Sequence, residues 1–393
     1  MGNIPEQMNR VRTFFTTAWP RTKRLTKIPV LDTLNVADQA SSPSAVDSKD
    51  DRQPYTDSYS FTVSQRLPWS SLLEVAYVGN QSRDLGMTAG AGSNINLVPV
   101  GAMLNQGVDP NSLTADTFRP LKGFSDLNLA TNKGYSNYNS LQLTWVRTKG
   151  RYTINMNYTF GKAMGIVYAN GGPTYDQFNI NNNYGVQPAN RTHIFNLAYS
   201  VELGKPVRDK IVGGLLNGWQ VSGILQAESG PNLAGFSQNG NFGVNFNGAK
   251  IPGTTYNISN VALLGTNDIQ LNPILTCNPA SGLGTNQFIN PNCFGMPTQI
   301  GQNGPTILPA IYGPAFFNAD LGLFKNFQLT ESKKLQFRFN AYNFLNHPLW
   351  SFNGSNLSLG FDSNTGKVNT PLFGTVTQKQ GHRVVQAAIK FYF

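Results

Sequence analysis

The chain has 393 residues, 13% of them charged, and a formal charge of +10. That length admits two or three ordinary soluble domains or one large barrel, and the charged share falls well below the usual quarter. No run of eighteen apolar residues occurs, which excludes a membrane-spanning helix but not a spanning barrel of strands. No basic stripe with interleaved aromatics points to nucleic acid.

Residues 1–54 are polar, charged and Pro/Ser-containing, without a clear period, and are left unassigned as a loop or remnant. Six of the 30 Lys and Arg residues lie early, within residues 10–27, at Arg10, Arg12, Arg21, Lys23, Arg24 and Lys27. They form either an attraction to an anionic surface, such as lipopolysaccharide phosphates, or a solvated tail. No secretory signal is visible, because Phe14–Phe15 is too short to supply an apolar core.

From residue 55 the pattern changes to period-two alternation, the mark of a strand with one apolar face. The first strand spans Tyr55 to Leu67, with Tyr59, Phe61 and Val63 on one side; the turn Pro68-Trp69-Ser70 leads into a second over Leu72 to Gln81. The third covers Tyr138 to Thr148, with Leu141, Leu143 and Trp145 opposite Ser140, Gln142 and Thr144. The fourth, Tyr152 to Gly161, alternates most cleanly: Ile154, Met156, Tyr158 and Phe160 against Asn155, Asn157 and Thr159. A fifth spans Arg191 to Leu203, carrying Glu202 on its polar side, and a helical turn near Val212 precedes a sixth over Trp219 to Ser229, carrying Glu228. The seventh runs from Phe316 to Leu329 with Asp320 on the polar side, and the eighth from Leu335 to Asn346 with Arg338 and Asn340 there. The ninth closes the chain: Val385, Ala387, Ile389, Phe391 and Phe393 fall on one face, and Gln386 and Lys390 on the other.

The connections between these strands alternate short and long, and the segment 230–315 is the longest. Outer-membrane barrels have short periplasmic turns and long extracellular loops. A soluble β-sandwich, the alternative for the terminal strand alone, gives no reason for long loops to gather at one end, and long structureless loops are uncommon in compact domains. Strands of this length also suit a tilted membrane crossing. Aromatics cluster at strand ends, with Tyr55, Tyr59, Tyr77, Tyr138, Tyr158, Phe160 and Phe316 outward and Trp69, Trp145, Tyr152, Trp219 and Phe393 periplasmic, as interfacial girdles require. The fold class is therefore all-β, an antiparallel outer-membrane β-barrel portion of about nine long strands. Cys277 and Cys293 stand in a Gly/Asn/Pro-rich stretch with no zinc spacing and no His nearby, so a loop disulfide in an oxidising compartment is expected, against two free thiols.

With the strands placed, a family resemblance emerges. The segments QPYTDSYSFTVSQRLPWSSLLEVAYVGNQSRDL, NYNSLQLTWVRTKGRYTINMNYTFGKAM, NRTHIFNLAYSVELG, LNGWQVSGILQAESGPNL and FFNADLGLFKNFQLTESKKLQFRFNAYNFLNHPLW resemble the C-terminal barrel of TonB-dependent receptors. More narrowly they resemble the Oar-like group common in Acidobacteria. The terminal Phe with its alternating partners resembles the insertion signal read by the barrel-assembly machinery. The resemblance implies a bacterial outer-membrane location, a 22-stranded barrel with an N-terminal plug and TonB box, outer-membrane lipid and lipopolysaccharide as surroundings, TonB as partner if plug and box exist upstream, and a large solute as cargo. No plug is visible, so residues 55–393 are expected to be the C-terminal part of a longer receptor barrel. No cofactor is implied.

Three functions are weighed. In the first, a TonB-dependent receptor, the polar-face residues Gln142, Asn155, Asn157, Glu202, Glu228, Asp320, Arg338, Asn340 and Lys390 line the lumen, most of them satisfying one another across strands. In the second, a passive porin or surface adhesin, transport is not energised. The third, a soluble β-structured enzyme, finds little support: His193, His347 and His382 stand far apart, with no GxSxG, HExxH or phosphate-binding loop.

Overall fold

The structure is a computed structural model that describes residues 44–46, 50–87, 93–166, 176–233, 243–308 and 311–393. The early cations Arg10 to Lys27 lie outside the described residues. Among the described residues nine long strands make one antiparallel meander: β1 (Tyr55–Leu67), β2 (Ser71–Met87), β3 (Asn128–Arg147), β4 (Tyr152–Ile166), β5 (His193–Glu202), β6 (Trp219–Glu228), β7 (Phe316–Gln328), β8 (Lys334–Tyr342) and β9 (Val384–Tyr392). Each pairs with the next in sequence, and among the described residues the sheet is open at β1 and β9. Three strands run further than their alternation predicts: β2 to Met87, β3 back to Asn128 and β4 to Ile166. The added residues are rich in Asn, Gly and Ser, which carry weak strand preference; partner strands, not propensity, extend them. Ser44–Val46 adds a parallel pairing on Asn128–Ala130, inside the segment that sequence alone leaves unassigned.

Register decides what the sheet presents. Directly opposed residues in an antiparallel pair share a face. Phe61 opposes Tyr77, which opposes Leu141, which opposes Phe160. Further along, Met156 opposes Leu197, then Leu225, then Ala319. Leu323 opposes Phe339, which opposes Ala387. The apolar set of every strand therefore joins one continuous face, because a slip of one residue at any pairing would turn a whole strand over. That face is uncovered by protein: Phe61 is 70% and Ile389 68% exposed.

Two glycines let tyrosines lie flat on this face. A Cβ at Gly79 would sit 2.5 Å from the Tyr59 ring, and one at Gly223 would sit 2.7 Å from the Tyr199 hydroxyl. Each ring covers the bare glycine backbone of the neighbouring strand. The β1–β2 turn places Trp69 and Ser70 at φ 60° and 56°, left-handed values that match the twist of a tight hairpin.

The short turns lie at one end of the sheet. The connection 203–218 holds a short helix, α1 (Lys210–Leu216), where sequence anticipates a helical turn. The long connections all lie at the other end and build a cap. There α2 (Asn260–Leu264) begins at Ser259, whose hydroxyl accepts from Ala262 N, and stops at Gly265 with φ 66°. Gly243–Asn245 pairs with Ser358–Gly360, and Ile274–Leu275 with Phe294–Gly295. One buried cluster joins Leu233, Ile289, Phe294, Leu359, Phe361 and Phe373; another joins Ala249, Ile251, Ile258, Leu263 and Leu271. The long connections thus supply the hydrophobic core that the strands lack, a finding that the irregular look of 230–315 does not foretell.

Candidate functional site

The face opposite the apolar one is polar, and it carries every lumen-facing candidate. Small residues dominate one row across it: Thr153 opposes Ser200, Ser200 opposes Ser222, Ser222 opposes Gly322, and Gly322 opposes Asn340. Because these side chains are short, the row forms the floor of an open depression of about 430 Å³. Asn155, Asp320 and Asn340 stand at its walls. Asp320 is oriented from the cap side, since its Oδ1 accepts from Asn343 N at 2.8 Å and from Asn318 Nδ2 at 3.1 Å. A methyl group at Gly322 would lie 3.0 Å from Ser222 Oγ and 3.2 Å from Asn340 Oδ1, so glycine keeps the floor low.

The other candidates are placed elsewhere on the same face. Asn157 Nδ2 donates to Asn155 Oδ1 at 2.8 Å, and its own Oδ1 accepts from Thr144 Oγ1 at 3.1 Å. Gln142 donates to Ser140 Oγ at 3.2 Å. Arg338 Nε donates to Gln336 Oε1 at 2.5 Å, and its guanidinium stands over the Phe324 ring. Lys390 opposes Gln336 on β9. Glu228 lies at the cap end, 4.0 Å from Arg191 Nε, while Glu202 lies at the short-turn end in a recess shared with Arg151 and Lys205. The structure therefore brings three of the nine candidates into one depression and spreads the rest over the face as a polar ladder.

Sequence reasoning misses the polar centre of the cap. Arg119, 4% exposed, donates from Nε to Asp116 Oδ1 at 2.6 Å and from Nη1 to the Asn96 carbonyl at 2.5 Å. Its Nη2 lies 2.6 Å from Asp126 Oδ1, and its Nη1 lies 3.9 Å from Asp268 Oδ2. Asp268 also accepts from Val98 N at 2.7 Å, so one guanidinium ties residues 96–126 to the segment after α2. Burial pushes the Asp268 carboxyl above the usual carboxylate range, against the Val98 N–H and the Arg119 charge, which lower it. Asp362 shifts the other way, held down first by Thr365 N, then by the Thr365 hydroxyl and Asn364 N. No local motif marks Arg119, whose partners range from Asp116 three residues before it to Asp268 in a distant connection. The Ser259-to-Gly265 cap pair of α2 was the one signal available in that region.

Cys277 and Cys293 are joined by a disulfide within the cap. Aromatics mark both ends of the strands. At the cap end the Tyr59 and Tyr77 hydroxyls both donate to Asn139 Oδ1, at 2.9 and 2.8 Å, and the Tyr158 hydroxyl lies 2.8 Å from His193 Nδ1. At the short-turn end Arg147 stands over the Tyr152 ring and donates to the Trp69 carbonyl. Lys325, 3% exposed, lies against Trp219 and Phe327 and donates to the Asn217 carbonyl. Cations on an apolar face that turn back to backbone oxygens at the strand ends are placed as an interfacial girdle requires. Among the described residues no group of three or more His, Cys, Asp and Glu could hold a metal ion.

A family model described as outer membrane beta barrel domain matches residues 3–386. Comparison with curated proteins finds no match. Among solved structures, the outer membrane transporter YddB from Escherichia coli is similar at 10% identity and a TM-score of 0.39, over 90% of this chain and 34% of that one. The ferric-catecholate import receptor Fiu from E. coli K12 is similar at 10% identity and a TM-score of 0.36, over 91% of this chain and 30% of that one. The siderophore receptor PirA from Acinetobacter baumannii is similar at 9% identity and a TM-score of 0.34, over 86% and 32%. The chain spans about a third of the length of each.

Proposed function

The chain belongs to the outer membrane beta barrel domain family, which places it in the bacterial outer membrane as a non-enzymatic barrel protein; from that premise we propose that it is the C-terminal portion of a TonB-dependent receptor of the Oar-like type. In this reading residues 55–393 are the C-terminal part of the receptor barrel, residues 1–54 stay unassigned as a loop or remnant, and the cap binds a large solute from outside. The polar face, with Asn155, Asp320 and Asn340 around its depression, lines the route inward. Barrel-assembly machinery reads the terminal strand from Val385 to Phe393, and TonB supplies the energy if a plug and TonB box stand upstream.

The observation that carries this reading is the division of labour in the chain. Strand after strand keeps its apolar residues on one register-locked face, while all long connections gather at one end into a cap with its own core. A cored cap presents a shaped surface, which a receptor offers to a solute before admitting it. The runner-up, a passive porin or adhesin, keeps the same wall and differs in energy source.

The test is to read the genomic sequence immediately upstream of Met1 in all frames and to measure the mass of the mature outer-membrane polypeptide that carries this sequence. A plug domain and TonB box in one polypeptide with these strands is the expected result. A mature protein lacking both, with steady ion conductance indifferent to the proton gradient, would favour the passive alternative.

A further inference from the structure

We infer that α1, in the short connection 203–218, is a membrane-surface anchor that lies in the periplasmic leaflet of the outer membrane and takes phospholipid as its ligand. The inference rests on the outer-membrane reading above and adds a lipid site to it.

The helix is firmly built for so short an element. The Asp209 carboxylate accepts from Ile211 N at 2.9 Å and Val212 N at 2.8 Å, which caps its first turn. Asn217 closes the other end by accepting from Val207 N at 2.9 Å and donating to the Val207 carbonyl at 2.6 Å. Gly213 faces inward, because a Cβ there would meet Val207 O at 2.9 Å and Asn217 Nδ2 at 2.8 Å.

This bracing leaves the apolar side chains outside. Ile211 is 80% exposed, and Val212, Leu215 and Leu216 are exposed with it. At roughly 100° per residue these four cover an arc of about 140°, one face of the helix. A braced turn that holds four large apolar groups outward is unfavourable in water and favourable in lipid.

Two contacts fix the side of the sheet on which α1 lies. Trp219 Nε1 donates to the Leu215 carbonyl at 2.9 Å, and Lys325 Nζ donates to the Asn217 carbonyl. Trp219 opposes Lys325, and Lys325 opposes Phe337, in the register of the apolar face. The C-terminal end of α1 therefore meets the lipid side of the wall, not the polar side, and its apolar arc continues the surface that the strands present. Lys205 shares the recess of Glu202, whereas Arg208, exposed, leads directly into the helix, and Asp209 is occupied by the cap. A cation beside a shallow apolar face suits anionic headgroups. The apolar arc continues a lipid-facing wall and carries a cation at its rim, so phospholipid and not a protein partner covers it.

The experiment uses the native protein, extracted from outer membranes and reconstituted in vesicles of phosphatidylethanolamine with or without phosphatidylglycerol. An environment-sensitive dye is placed singly at Ile211→Cys, at Leu323→Cys on the wall and at Val108→Cys in the cap, and is read for iodide quenching and for quenching by lipids labelled near the headgroup. Ile211 is expected to be shielded from iodide several-fold and quenched by shallow lipid labels, with Leu323 in lipid and Val108 in water. Replacing Arg208 by Gln is expected to weaken the shallow quenching in phosphatidylglycerol vesicles only. If Leu323 is in lipid while Ile211 is quenched freely by iodide, the anchor is refuted and the wall stands. If Leu323 is also in water, the outer-membrane reading itself fails. Self-quenching between Ile211 dyes on two copies would show a protein partner there and would also refute the lipid assignment.

Discussion

In the sheet, Phe61, Val63, Ile389 and Phe391 stand uncovered, whereas in the cap Phe361, Phe373, Leu359 and Ile289 are wholly buried. The same kinds of side chain thus meet two solvents. In the cap they are removed from water by one another, as in a soluble domain, and a disulfide and a buried guanidinium hold the loops around them. In the sheet the apolar face joins no protein core, and backbone pairing with cross-strand side-chain contacts keeps the strands in register. Such a sheet gains its apolar stabilisation from lipid, where every backbone polar group must be paired internally. An apolar side chain in this protein is therefore sheltered by lipid on the wall and by other side chains in the cap.

The sharpest break between the regions comes from the cap core. Phe361→Ala removes a fully buried ring and is expected to cost the cap about 3–5 kcal/mol. Hydrogen exchange should show faster opening of 243–308 and 343–376, with β4 to β7 unchanged. Equal loss of protection in the strands would show that the two regions do not fold separately.

Leu323→Arg probes the wall. It puts a charge on the apolar face and is expected to impair insertion by about 2–4 kcal/mol near the bilayer midplane. Asn157→Arg, on the polar face, should be milder, as read by heat-modifiable gel migration. Equal effects would remove the distinction between faces.

Cys277→Ser acts on the cap alone. The disulfide closes a loop with sequence separation 16, and its loss is expected to cost that loop up to about 3 kcal/mol in the chain-entropy model. Limited proteolysis should find new cleavage between residues 277 and 293 while the strands stay resistant. Loss of strand resistance would again couple the two regions.

Two cap carboxylates sharpen the comparison through pH. Asp268 has its folded pKa raised above the ordinary 3.8, so its contribution is fully present below 3.8 and lost as pH rises through the folded value. Asp362 has its pKa lowered, so its contribution is present above 3.8 and lost as pH falls through the folded value. Hydrogen exchange of 96–126 should therefore become less pH-dependent in Asp268→Asn, which keeps an acceptor for Val98 N. Exchange of 361–368 should lose its acid sensitivity in Asp362→Asn. Opposite outcomes at either site would contradict the packing described.

Much of this comparison was legible beforehand. The nine strands, their polar and apolar faces and the gathering of long connections follow from a period of two, which a half-buried strand imposes residue by residue. The extensions to Met87, Asn128 and Ile166 were not legible, because those residues are strands only by virtue of their neighbours. The cap was least legible: its core draws Leu233, Ile289, Phe294 and Phe361 from segments far apart, and no local period records such an arrangement. The polar candidates were legible as a face. That Asn155, Asp320 and Asn340 share one depression depends on register across β4 to β8, which single strands do not encode.

The central claim is that the sheet crosses the membrane with one face in lipid, and β4 offers the most direct test. Single nitroxide labels placed in turn at positions 153 to 160 of the membrane-reconstituted protein report accessibility to oxygen and to a water-soluble nickel chelate. Oxygen should dominate at Ile154, Met156, Tyr158 and Phe160, and the chelate at Thr153, Asn155, Asn157 and Thr159, with a period of two. Accessibility that shows no such alternation, or alternates with the faces exchanged, would contradict the account.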